Sequence, residues 1–99
     1  MPLFYIIESD GGVIRSSDSR FNLSVTRDSE GIFSIDYSDM NYTEAPFVYI
    51  TTDTTGNSND STSSSSIKEC TKTGVKVSLK NMAGALKDSR FHLCIKDSV

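Results

Sequence analysis

Ninety-nine residues suffice for one domain (1–99) with one modest core, since a chain of this size hides only about 60 to 70% of the surface its unfolded form exposes. A net charge of −3 and a pI near 4.9 exclude the clustered basic footprint of a nucleic-acid binder. Two cysteines and one histidine exclude a Cys-rich or His-cluster metal centre, and no apolar run is long enough to span a membrane.

In chain order, residues 3–8 read as a first strand that ends at Ser9-Asp10-Gly11-Gly12, where paired glycines permit positive φ. The opening stretch has no basic lead, and its apolar run is too short for a secretory signal, so none is expected and the location stays open. A short extended piece follows at residues 13–15. Phe21, Leu23 and Val25 then alternate with Asn22, Ser24 and Thr26, the period-two pattern of a strand with one wet face. After the turn Asp28-Ser29-Glu30-Gly31, Phe33, Ile35 and Tyr37 alternate with Ser34 and Asp36, which predicts a hairpin with a shared apolar face.

Pro46 opens the run Phe47-Val48-Tyr49-Ile50, four consecutive apolar residues that suggest burial on both sides, one against the core and the other against a subunit. Residues 51–66 hold eleven Ser or Thr among sixteen and no apolar side chain, which reads as a long exposed connection. A second hairpin follows over residues 67–80, with Val75, Val77 and Leu79 on one face. Residues 81–89 read as a loop or one helical turn, and Phe91, Leu93 and Ile95, alternating with His92, Cys94 and Lys96, finish the sheet.

Residues 1–66 carry three basic and ten acidic side chains (−7), residues 67–99 seven basic and three acidic (+4). Two solvated faces of opposite sign account for this, as does attraction across a subunit interface. Cys70 and Cys94 are compatible with a disulfide worth ~3 kcal/mol or with two reduced thiols packed in strands.

Five motifs in order, Phe21-x-Leu23-x-Val25-x-Arg27, Gly31-x-Phe33-x-Ile35-x-Tyr37, Ala45-Pro46-x-Val48-x-Ile50-Thr51, Thr71-x-Thr73-Gly74-Val75-x-Val77 and Phe91-x-Leu93-x-Ile95, resemble the H-type-lectin-like β-sandwich of phage tail-fibre tips and bacterial surface proteins. The resemblance spans residues 13–96. It implies an all-β fold, a single antiparallel sandwich of six or seven strands, often a homotrimer, with loops at one end available for ligands; in H-type lectins the ligand is N-acetylgalactosamine or galactose. Trp is absent here, and no sugar-binding residue carries over position by position.

His92 lacks the nucleophile motif and orienting group that catalysis would need. The carboxylates Asp28, Glu30, Asp36, Asp39 and Glu44 fall in turns or on wet faces, where solvent keeps them ordinary. Asp53, Asn57, Asn59 and Asp60 offer oxygen ligands without EF-hand spacing, in a loop polar enough to hydrogen-bond a saccharide; Tyr42 and Tyr49 are usable stacking surfaces. The expected ligand site is therefore Tyr42, Asp53, Asn57, Asn59 and Asp60. The expected subunit contact is Phe47, Tyr49, Lys76 and Lys80, the two lysines projecting from one strand face.

These readings converge on a non-enzymatic, trimeric module, without metal or cofactor, that recognises a surface glycan or receptor. A ligand-free trimerisation module and a small intracellular inhibitor or immunity protein are the alternatives.

Overall fold

The computed structural model describes residues 2–53 and 62–97. They form β1 (Leu3–Ile7), β2 (Val13–Ser16), β3 (Ser24–Ser29), β4 (Ile32–Asp36), a 3₁₀ turn at Ser38–Met40, β5 (Phe47–Asp53), β6 (Thr62–Cys70), β7 (Gly74–Asn81) and β8 (Arg90–Lys96). Sheet A has the order β2-β1-β8-β5 and sheet B the order β3-β4-β7-β6, all pairings antiparallel.

The period-two pattern decides how the sheets meet. Leu3, Tyr5 and Ile7 of β1 and Phe91, Leu93 and Ile95 of β8 face Phe33 and Ile35 of β4 and Val75, Val77 and Leu79 of β7, with Tyr37 closing one end. All are buried in one cluster, and Phe33 meets Phe91 with ring centroids 5.3 Å apart. Each such side chain removed from water contributes about 1.5–3 kcal/mol, so the double-layer interior is the main source of stability. Tyr37 is fully buried, and its hydroxyl stays satisfied by donating to the Thr71 carbonyl at 2.6 Å.

Three expectations need correction. The strand count among the described residues is eight, not six or seven, because residues 13–16 pair with β1 and make a full edge strand. The third strand starts at Ser24; Phe21 precedes it, half-exposed beneath the Arg20 guanidinium, and only Leu23 and Val25 reach the core. The run 51–66 is not one connection: residues 51–53 extend β5 and residues 62–66 open β6. Backbone pairing needs no apolar side chain, and where Ser66 crosses Ser78 the two hydroxyls bond at 2.7 Å. The run Phe47–Ile50 has the expected core-facing side, and its other side is open within the chain. It is an edge strand whose Val48 and Ile50 pack against the core while Phe47 and Tyr49 stay 54% and 59% exposed.

The segment between β7 and β8 is pinned across the β3–β4 hairpin. Asp88 accepts the Gly31 N–H and the Arg27 guanidinium, each at 2.7 Å. Ser89 anchors the other side by donating to the Asp53 carbonyl at 3.0 Å.

Candidate functional site: the outer face of sheet A

Because odd-numbered residues of β1 and β8 point inward, the even-numbered ones line the outer face of sheet A. There the strand register builds rows. Phe4, Cys94 and Tyr49 lie side by side across β1, β8 and β5. The next row, crossing all four strands, is Arg15, Ile6, His92 and Thr51. One step further, Arg90 lies opposite Asp53. Together with Ser16 and Ser17 the first two rows line a concavity of about 600 Å³.

Its floor is apolar and its margins are polar. The Phe4 and Tyr49 rings, 55% and 59% exposed, stand two strands apart with the Cys94 thiol between them. Ser17 fixes the Phe4 backbone by accepting its N–H on Oγ at 3.0 Å and donating its own N–H to the Phe4 carbonyl at 2.8 Å. At the other margin His92 Nε2 lies 2.7 Å from Asp53 Oδ2, and Arg90 Nη2 donates to Glu8 Oε2 at 2.9 Å. The hydrogen bond from Arg90 holds the Glu8 carboxyl below its ordinary range, and Glu8 in turn raises the guanidinium.

Cys94, His92 and Asp53 share one face, yet they do not form a nucleophilic relay. Burial pushes the Cys94 thiol up, which favours the protonated form, the opposite of what a thiolate nucleophile requires. His92 directs Nε2 to the carboxylate.

Of the expected ligand residues, the two that are described, Tyr42 and Asp53, lie apart. Tyr49 lines the concavity, and Asp53 borders it through His92. Tyr42 belongs elsewhere: its ring packs edge-on against Tyr37 at 5.6 Å and its hydroxyl donates to Met40 Sδ, so it helps close the core. It lies at the Pro46 end of the sandwich, where the Cys70 thiol approaches both Tyr37 and the Pro46 carbonyl, while Asp53 is about 20 Å away at the far end of β5. Asn57, Asn59 and Asp60 lie outside the described residues.

The expected subunit contact is divided likewise. Phe47 and Tyr49 are on the outer face of sheet A, whereas Lys76 and Lys80 project from the outer face of sheet B. Lys76 pairs with Asp28 of its own chain at 3.6 Å, so part of the opposite charge finds its partner internally. Beside that pair the sheet B face forms a shallower polar concavity of about 350 Å³, without an aromatic ring. Cys70 and Cys94 are both free and belong to strands of different sheets.

Phe4, Ile6, Arg15, His92 and Cys94 are site residues that sequence reasoning does not select. For Phe4 and Ile6 the signal is the apolar run of β1, uninterrupted from Leu3 to Ile7, which like Phe47–Ile50 puts apolar groups on both faces of a strand; Arg15, His92 and Cys94 join them only through strand register.

Fold and site together define a two-layer antiparallel β-sandwich with an open aromatic sheet face. No protein-family model, curated protein or solved structure matches the chain.

Proposed function

We propose that the protein is a non-enzymatic recognition module, an H-type-lectin-like head that holds a saccharide on the outer face of sheet A. The observation that carries this reading is the pair of exposed rings, Phe4 and Tyr49, flanking a concavity bordered by Arg15, His92, Thr51 and Ser17. A sugar presents apolar C–H faces and a ring of hydroxyls, and this surface offers flat apolar area beside donors and acceptors. A glycan array probed with the wild-type protein and with Tyr49→Ala tests it. Selective binding that falls at least ~10-fold on truncating the Tyr49 ring supports the reading. A blank array, or binding indifferent to Tyr49 and Phe4, rejects it.

A second reading, a structural assembly module without ligand, is favoured by the exposure of Phe47 and Tyr49 on an edge strand. In the homotrimer that the lectin resemblance implies, a head-to-tail ring would set this face against a neighbour's Lys76 and Lys80 face. A blank array together with a trimeric mass would favour it.

A further inference from the structure

The sequence holds four arginines and thirteen acidic side chains. Three of the four arginines have a carboxylate: Arg20 pairs with Asp18 and Arg27 with Asp88 at 2.7 Å, and Arg90 with Glu8 at 2.9 Å. Arg15 is the exception. Among the described residues no carboxylate pairs with it, and no ring takes its guanidinium as Phe21 takes that of Arg20.

The register of β2 puts this unpaired charge at the concavity of sheet A. Arg15 lies opposite Ile6 and therefore diagonal to Phe4 on the same face, a separation of ~7–8 Å that a long side chain spans. Ser16 and Ser17 bring hydroxyls to the same margin. No aspartate or glutamate lines the concavity among the described residues, although the chain as a whole is acidic. The carboxylate that borders it, Asp53, belongs to β5, three strand spacings or ~14 Å from β2, and is turned to His92 with only 15% of its side chain exposed. An anion seated over Phe4 thus meets one uncompensated cation beside a low-dielectric floor, and the nearest negative charge is already matched.

We infer that the saccharide held on this face is an acidic one, its carboxylate taken by the Arg15 guanidinium. The inference rests on the saccharide reading and adds the chemical class of the sugar. A planar guanidinium fork matches a carboxylate through two parallel hydrogen bonds, so one arginine suffices to fix both the position and the orientation of the acid group. With the carboxylate at Arg15, the apolar face of the sugar ring lies over Phe4 and its hydroxyls reach toward Thr51 and Tyr49 on the other side.

Nuclear magnetic resonance titration of the ¹⁵N-labelled full chain tests it. The probes are the methyl glycosides of glucuronic acid, galacturonic acid and N-acetylneuraminic acid, each beside its own methyl ester, which removes the charge and keeps the ring. At least one acid is expected to bind ~10-fold or more tightly than its ester, with shifts at Phe4, Arg15, Ser17 and Cys94 and an affinity that falls as salt is added. Arg15→Gln, at an exposed position, should bring the ratio of acid to ester near one with circular dichroism unchanged. Esters or neutral hexosides that bind this face as well as the acids overturn the inference and leave the saccharide reading standing. So does a ratio that Arg15→Gln does not move. Silence from every acid overturns it as well, and a glycan array that is also blank removes the saccharide reading with it.

Discussion

Gly31 is the most sharply constrained backbone position in the described chain. It sits in the tight β3–β4 turn at φ +75°, where an L side chain is strained. A Cβ there would lie 2.8 Å from the Leu79 carbonyl oxygen, 2.8 Å from the Lys87 nitrogen and 3.0 Å from the Leu86 Cβ. The first two are backbone atoms already committed: Leu79 N donates to the Gly31 carbonyl at 2.8 Å and Lys87 N to the Leu79 carbonyl at 3.1 Å. The Gly31 N–H is itself held by Asp88 at 2.7 Å. A methyl group can enter only by displacing β7 or the segment that Asp88 pins.

Gly31→Ala therefore adds a left-handed backbone cost of ~1–2 kcal/mol to an overpacking cost of ~1–3 kcal/mol, roughly 2–5 kcal/mol together. Gly84 supplies the control. Its φ is +82°, nearly the same, but no atom lies within 4 Å of its Cβ position, so Gly84→Ala should lose only the ~1–2 kcal/mol backbone term. Urea denaturation followed by far-UV circular dichroism measures both, with comparable m-values required. At ~4–8 °C per kcal/mol for a domain of this size, thermal melts should separate the two variants visibly. Equal losses in the two variants would show that the close approach of Gly31 to β7 contributes nothing, and the argument would be wrong.

Tyr37→Phe keeps the ring packing and deletes the hydroxyl that donates to the Thr71 carbonyl, so a loss of ~0.5–1.5 kcal/mol is expected by urea titration; a neutral or stabilising change would contradict the role given to that bond. Stability should also depend on pH at both extremes. Glu8, Asp18 and Asp36 have carboxyls lowered in the fold, mainly by hydrogen bonds from Arg90, Arg20 and Ser38 respectively, Asp18 to about 2. The folded state thus binds fewer acid protons than the unfolded one, so their contribution is present above the ordinary carboxylate range and fades as pH falls toward about 2. Burial pushes the Tyr5 hydroxyl up to about 12 and raises Tyr37 as well; their contribution is complete below the ordinary value of 10.0 and fades as pH rises from there toward about 12. Urea midpoints that stay level from neutrality into either extreme would contradict the assigned directions.

Phe33, Ile35, Val75, Val77, Leu79, Phe91, Leu93 and Ile95 are all buried on the faces that their alternation predicts. Period two is a property of neighbouring residues, so the amino-acid sequence by itself determines an all-β chain, its hairpins and the inward face of most strands. The Ser/Thr run misleads because ladder hydrogen bonds come from the backbone and leave no hydropathy signature. The packing of Tyr42 against Tyr37 is not legible in the local pattern, because it depends on where the segment after the 3₁₀ turn folds back. Of the candidate site, Tyr49 and Asp53 are legible in advance. The row Phe4–Cys94–Tyr49 is not, since it depends on β8 lying between β1 and β5. Only the tertiary structure decides strand order, and with it which strand lies at an edge: the same apolar run Phe47–Ile50 would be a buried centre in one order and is an open rim in this one, because pairing between distant segments is set by the packing of the whole chain and not by any local period.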